Sequence, residues 1–577
     1  MAYKPWYIGN TTVRNPFRLK LGLEALYKSS LHGNLSGREN EQAFAELLHE
    51  SEVVSVARLE ADSENQDASD VGRKWRAALS QLGFIVHENA AEINVKFKPY
   101  TITQNGKNLL SADNISAVNE CFLRALSAYY IPSVIESYNY YEVFSPLRHV
   151  LNVMLQLKHV TGNTHLYQRE IGMFVQTTSA QNDIDAIIQN ILDYRTNRDG
   201  AINKKAFDRE MYQRMAEPTT VKGETLKDYA DSNIRYLKAT GLFQSRGRGI
   251  VIIPEKELLA KQLVADDKRP SSDEDYLIQL FNGAELPSDD ILHAQELLED
   301  LKQQVENKGL TVDTTAVDYS NVQSINSLRY TLEQQLFMQK EIDYSRQQKE
   351  QWQDIIAYMD AIIKRNSKTF ILPYSQEEGQ VPKEEFPAYF EWIVWRSFLA
   401  INRLKNQPYE ARSFQLDQDF LPVNTAPGGR ADAVFEFDDY VLVLEVTLTE
   451  NSRQEAAEGE PVRRHVAKYQ MEYSSYGKPA YGLFLANKVD TNTIETFRNG
   501  LWYATNDEKM YLKIVPMTLE DYKNIFTALF ESGQIDNIHI KNLLDSVLLG
   551  KENYDAPCWR TCITNATAHY LQGILVK

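Results

Sequence analysis

The stretch RADAVFEFDDYVLVLEVTLT, from Arg430 to Thr449, sets the hardest condition on how this chain folds. It reads as a β-hairpin: a strand, a turn at Asp438–Asp439, and a second strand apolar on both faces. That second strand nevertheless carries Glu445 at its middle. A buried, unpaired carboxylate is costly and is normally protonated or eliminated. The strand therefore needs something to share the charge of Glu445.

A two-residue turn at Asp438–Asp439 places Asp432 opposite Glu445. Their Cβ atoms are then expected about 4.5–5.5 Å apart, on one side of the ladder. Like charges at that distance repel, and a cation between them removes the repulsion. A hard divalent ion with oxygen ligands, Mg²⁺ first, suits the pair. Thr447 shares the same face. The alternative is an ordinary hairpin whose acids face water, and the apolar faces of YVLVLEVTLT weigh against it.

Flanking segments add to the acids. EEFPAYFEWIVWRSFLAIN predicts a helix with Phe390, Ile393, Val394, Phe398 and Ile401 on one face and Glu391 beside it, within reach of the same ion. EGEPVRRHVAKYQ predicts a helix starting at Pro461, a favoured first-turn residue. Its first turns carry Glu460, Arg464, His465 and Lys468. Such groups suit water activation and stabilisation of phosphate charge. Taken alone, His465 also fits an ordinary packing or surface histidine.

At 577 residues the chain exceeds one hydrophobic core, so roughly two to four domains are expected. A net charge of −17 argues against non-specific coating of nucleic acid but leaves room for local basic patches. No apolar run is long enough to cross a bilayer, and MAYKPWYIGN does not read as a signal peptide. Three cysteines cannot build a disulfide framework, so a reducing cytoplasm is expected. Cys558 and Cys562 in CWRTC lack a second ligand pair and are expected as buried thiols. No G-x-x-x-x-G-K-[ST] motif is present, which disfavours an ATP-driven translocase, and no H-E-x-x-H.

Three stretches differ in texture. Residues 1–265 read as small helical units with short strands. DVGRKWRAALSQLGFI predicts a helix to Gly83 with Arg73, Lys74 and Arg76 near its start, and YTITQNGKNLLS a strand, an Asn-Gly turn and a helix. SPLRHVLNVMLQLKHVTGNTHLYQREIGMFV predicts helix, turn, helix. ETLKDYADSNIRYLKATGLFQSRGRGIVIIP predicts a helix stopped at Gly241, then a hairpin tipped by Arg246 and Arg248. A helix followed by a basic-tipped hairpin is how a winged helix meets double-stranded DNA; core helices with solvated arginines fit the same pattern. Residues 266–366 predict long charged helices acting as a linker, and residues 367–577 an α/β domain.

The segments YFEWIVWRSFL, LPVNTAPGGRADAVFEFDDYVLVLEVTLT and EPVRRH resemble the AlwI-type family of type IIS restriction and nicking endonucleases. The hairpin acids match the skeleton of the PD-(D/E)xK nuclease core. Segments before residue 265 resemble the family's recognition helices and wing in the same order. The resemblance implies a multidomain α+β protein: N-terminal winged-helix DNA-recognition units, a helical linker and a C-terminal α/β PD-(D/E)xK-like nuclease domain. It implies Mg²⁺-dependent cutting a few base pairs outside a short asymmetric site. Asp432 and Glu445 match the metal carboxylates, Glu391 the helix carboxylate, and Glu460 and His465 the acid and histidine of the next helix. Ala431 stands where the wider PD-(D/E)xK pattern has Pro, and Thr447 where it has Lys; the AlwI-type family also has Thr there. The general base stays open among His465, Lys468 and a metal-bound water. Cutting both strands takes two sites, through transient dimerisation or a second subunit. A strand-specific nickase and a catalytically dead DNA-binding protein are the alternatives.

Overall fold

The computed structural model describes residues 2–60, 67–315, 317–401, 403–504 and 506–575. It is a mixed α+β protein of two compact units, Met1–Gln335 and Leu336–Lys577. The boundary falls inside the helix Val322–Gln347. Among the described residues no helix is long and apolar enough to cross a membrane.

In the first unit, helix Pro146–Thr161 is followed by β1 (Leu166–Tyr167) and a single π-turn, Ile171–Val175. Helices Ile184–Gly200, Lys204–Ala216 and Gly223–Ala239 come next, then the hairpin β2 (Phe243–Ser245) and β3 (Gly249–Ile252). The sheet order is β1-β3-β2, all antiparallel. Helix Gly223–Ala239 stops as its sequence predicts, with Gly241 at φ +71°, a left-handed position that glycine takes without penalty.

Two local expectations fail here. Asn105-Gly106 is not a turn but the first turn of helix Gln104–Ser111. Thr103 caps that helix, its hydroxyl accepting from Gly106 N at 3.0 Å, and capping chemistry outweighs the turn propensity of the dipeptide. The segment after Gly162–Asn163 forms β1 before turning helical, because the edge of β3 offers it a ladder. The 266–366 segment is helical but does not stand apart. Helix Asp273–Asn282 buries Tyr276, Leu277, Leu280 and Phe281 against helices Gln104–Ser111 and Ile115–Ala128, while helix Trp352–Ile363 packs on Phe386–Ile401 in the second unit.

The second unit opens with a small ladder of β4 (Phe370–Ile371) and β5 (Glu378–Gly379). Its main sheet contains β6 (Ala433–Glu436), β7 (Val441–Thr447) and β8 (Ala480–Ala486). A two-stranded ribbon, β9 (Leu501–Tyr503) and β10 (Lys509–Tyr511), precedes β11 (Lys513–Thr518). The four-stranded order is β11-β8-β7-β6, with β7–β8 and β8–β11 parallel and β6–β7 antiparallel. The β7–β8 crossover is helix Arg453–Ser474, which packs on both strands. Between two neighbours in a sheet with a covered face, β7 needs apolar residues on both sides, which VLVLEVT supplies save at Glu445 and Thr447.

Helix Phe386–Ile401 is enclosed on nearly every side rather than along one stripe: all of its residues except Pro387 are buried. Trp392 and Trp395 make this possible because each indole N–H finds a carbonyl, on Phe420 at 2.7 Å and on Pro408 at 3.1 Å. Helix Arg453–Ser474 starts eight residues before Pro461, which lies inside it. The run RQEAAEGE is rich in good helix formers, and this outweighs the signal of Pro461 as a helix start. The cysteine pair departs from expectation as well: on helix Ala556–Leu575, Cys558 is exposed and Cys562 only half-buried against the core of the second unit.

Candidate active site

The hairpin has the predicted register. Ala433 pairs with Leu444 and Glu436 with Val441, and Phe437 N donates to Tyr440 O at 2.9 Å across the turn. The same register sets Asp432, just ahead of β6, opposite Glu445. Asp432 leans onto the neighbouring strand, where its Oδ2 accepts the N–H of Val446 at 2.7 Å. From the enclosed helix, Glu391 Oε2 accepts the N–H of Ala426 at 2.8 Å. Ala426 belongs to the exposed loop that runs through Gly428 and Gly429 to Arg430.

These acids stand in one another's field. Burial and then the charge of Glu445 hold Asp432 well above the usual carboxylate range, against the Val446 N–H. Burial and Asp432 do the same to Glu391. Glu445 is raised by burial and by Glu458, with Arg464 pulling the other way. Three protonation equilibria displaced upward together mark a place short of positive charge.

Helix Arg453–Ser474 closes the site. His465 is 5% exposed, and its Nδ1 lies 2.6 Å from Glu445 Oε1. Burial, with Arg464 and Lys468 nearby, lowers the basicity of His465. With both groups neutral this contact is a carboxylic acid O–H donating to the ring nitrogen; with Glu445 ionised, the Nδ1–H donates instead.

The acid that this helix turns toward the site is Glu458, not Glu460. Glu458 bonds the Thr447 side chain, is raised by burial, and acts on both Asp432 and Glu445. Glu460 is exposed and pairs with Arg464 at 3.0 Å. A helix begun at Pro461 leaves residue 458 outside it. Begun at Arg453, it puts 458 and 465 two turns apart on one face. Lys468 points into solvent, its ammonium 5.3 Å from the Tyr469 ring centroid.

The donor set is chemically fit for a hard divalent cation: carboxylate oxygens, buried and mutually repelling. Among the described residues no group of three or more His, Cys, Asp or Glu is gathered closely enough to enclose an ion.

The predicted DNA-facing residues divide. Arg246 and Arg248 are exposed at the β2–β3 tip, and Arg73 is exposed on helix Ser69–Gln81. Lys74 pairs with Asp70 at 3.1 Å. Arg76 is half-buried, bridging Glu41 at 3.0 Å and the Leu35 carbonyl at 2.8 Å, so its guanidinium serves internal packing.

The class is that of a nuclease acting on DNA. Residues 80–525 match the model of the AlwI restriction endonuclease family, and the chain belongs to that family. Among solved structures, the small subunit of the heterodimeric restriction endonuclease R.BspD6I is similar at 25% identity, with a TM-score of 0.28, over 37% of this chain and 97% of that one. No curated protein matches.

Proposed function

We propose that this chain is a type IIS restriction endonuclease that binds a short asymmetric duplex site and hydrolyses phosphodiester bonds a few base pairs outside it, with Mg²⁺ as cofactor. The observation that carries the reading is the opposition of Asp432 and Glu445 across a register-fixed hairpin, with Glu458 acting on the pair and Glu391 in the field of both. This is the carboxylate skeleton of a PD-(D/E)xK-like domain. In the other unit, the order β1-β3-β2 with an arginine-tipped hairpin after helix Gly223–Ala239 supports a winged-helix recognition domain. Recognition is assigned to about residues 1–265, cutting to 367–577, and the intervening helices join them.

Asp432 and Glu445 would hold the ion, with Glu391 and Glu458 in the surrounding field. When bound, Mg²⁺ supplies a polarised phosphoryl oxygen and a water acidic enough to attack. The chain's own residues prepare that chemistry. Val446 N–H fixes one oxygen of Asp432, and His465 fixes one oxygen of Glu445, leaving the other oxygen of each without a hydrogen bond among the described residues. His465 is thus a positioning residue that acts through Glu445. The Arg464 cation lies in the field of Glu445 and suits the negative phosphate.

One carboxylate site cuts one strand at a time, so double-strand cutting takes a second copy or a second subunit. The test is incubation of purified protein with supercoiled plasmid and Mg²⁺, followed by run-off sequencing of both strands. Cuts at a fixed offset from one short asymmetric sequence are expected. Cutting inside the site, at random, or not at all overturns the proposal. Open circles with no linear product identify a nickase.

A further inference from the structure

Where the β2–β3 hairpin meets the segment 165–170, the hairpin tip is bolted down. The ring Nε2 of His165 lies 2.9 Å from the Arg246 carbonyl oxygen. The N–H of Gln168 donates to the Arg248 carbonyl at 2.9 Å, and Tyr167 pairs with Gly249. The Tyr167 ring forms a platform beside the tip. His165 lies against it at 4.2 Å between centroids, the Arg169 guanidinium sits over it at 4.0 Å, and that of Arg195 at 5.4 Å.

The arginines here differ in charge balance. Arg195 is neutralised by Glu170 through two bonds of 2.8 Å, and Arg198 by Asp208 at 2.7 and 3.0 Å. Arg169 is not: among the described residues no acceptor lies within reach of its buried Nε, and no carboxylate forms an ion pair with it. Asp208 and Asp199 feel its field only at longer range. Arg73 and Arg214 likewise form no ion pair among the described residues, but they are exposed, whereas Arg169 is half-buried over the Tyr167 ring. Its side chain is already ordered by stacking, so little rotamer freedom remains to be lost on binding.

We propose that Arg169 is a DNA-contacting residue, its guanidinium taking a phosphate oxygen of the bound duplex beside those met by Arg246 and Arg248. The tip arginines lie on an exposed turn, whereas Arg169 stands on the Tyr167 platform to which that turn is anchored. It would therefore fix the position of the hairpin along the duplex backbone. Phosphate contacts set register without reading sequence. The inference rests on the reading of this unit as the recognition domain.

The test is fluorescence anisotropy of the full-length protein in the cleavage-inert background Glu445→Ala. Binding is measured to a duplex carrying the mapped site and to a scrambled duplex, across a salt series. Arg169→Gln is expected to weaken both by about tenfold, and to flatten the dependence of log affinity on log salt by about one phosphate's worth, ~0.9. Arg169→Lys should keep most of the slope. Arg169→Met retains a long side chain over Tyr167 without charge; if the Gln variant melts early, the Met variant should show the same loss of slope in a folded protein. Unchanged affinity and slope in a folded, uncharged variant make Arg169 a packing residue and overturn the inference, while the endonuclease reading stands. A loss confined to the cognate duplex overturns the phosphate contact in favour of a base contact. If the parent binds neither duplex, the recognition assignment falls and the inference falls with it.

Discussion

His465 Nδ1 lies 2.6 Å from Glu445 Oε1, so the crossover helix holds one oxygen of an acid that the central strand carries into the core. A residue that orients a metal carboxylate affects the metal more than the substrate. Changing such a partner typically costs 10–100-fold in metal affinity or activity. His465→Ala is therefore expected to raise the Mg²⁺ concentration for half-maximal cutting by about that factor, with duplex binding unchanged. Cutting that falls at every Mg²⁺ concentration, with no shift in the midpoint, makes His465 a direct proton-transfer group instead.

Continued one residue past Ala433–Leu444, the hairpin register brings Asp432 opposite Glu445, and on the proposed reading the two hold one ion and act as a unit. Asp432→Ala and Glu445→Ala should each abolish detectable cutting, and the double variant should be no worse than either. Gel shifts with the specific duplex should be unaffected, because binding is assigned to the other unit. In thermal melts Mg²⁺ should raise the Tm of the parent but not that of Asp432→Asn, whose amide oxygen can still accept the Val446 N–H. A Glu445→Ala protein that cuts at the parental rate moves the active site elsewhere.

Glu458 and Glu460 sit two residues apart on one helix and differ in every relevant respect. The first bonds Thr447 and acts on both Asp432 and Glu445; the second is exposed and pairs with Arg464. Glu458→Gln should reduce single-turnover cutting by about 10²-fold or more, and Glu460→Gln by no more than a few-fold. Equal losses would mean that the helix turns differently in the DNA complex.

Those two glutamates show where sequence reading succeeds and where it stops. The hairpin register is legible because it depends on a local quantity, the two-residue turn at Asp438–Asp439, and because a slip by one residue would turn every side chain of β7 over. Glu391, Asp432, Glu445 and His465 follow from that register and from one helix on each side. Glu458 does not, because the start of its helix depends on eight residues, mostly good helix formers, competing with a proline signal. Lys74 and Arg76 read as basic surface in the sequence. That Arg76 is consumed by Glu41 and Leu35 depends on helix Arg38–Glu50 packing against its own helix, a tertiary fact. Arg169 carries no sequence signal at all, since its lack of a counter-anion is a property of its surroundings.

His149 makes the first unit sensitive to acid. It is buried against Trp6 and Phe144, bonds Thr178 Oγ1 at 3.2 Å, and burial lowers its pKa to about 4. The unfolded chain titrates near 6.5, so below that pH unfolding takes up a proton that the folded site refuses. This contribution to stability is complete above about pH 6.5 and is lost progressively as the pH falls toward 4. A shift of about 2.5 units corresponds to roughly 3 kcal/mol. In urea melts followed from pH 7.5 to 4.5, His149→Gln should lose less stability than the parent over this interval. Parallel curves for the two proteins would show that His149 is protonated without difficulty in the fold.

Gly106 lies in a helix, where alanine is ordinarily better by about 0.5–1 kcal/mol. Here the neighbourhood reverses the sign. A Cβ at this position would stand 2.2 Å from the Phe84 carbonyl oxygen and 2.8 Å from Ile102 Cγ2. The carbonyl cannot retreat cheaply, because it accepts from Thr103 N at 3.1 Å and from Thr103 Oγ1 at 3.2 Å. That threonine also caps the helix through its bond from Gly106 N. Making room therefore disturbs the cap and the Phe84–Thr103 pairing together. Gly106→Ala should destabilise the first unit by about 1–3 kcal/mol, the usual cost of overpacking a tight site. The measurement is a chemical melt resolved by unit. The transition of the first unit should move to lower denaturant, and Mg²⁺-dependent cutting of plasmid should persist under conditions where that unit remains folded. A midpoint equal to or above the parent's would mean that the helix shifts away from Phe84 without loss, and that the close approach at Gly106 has no structural role.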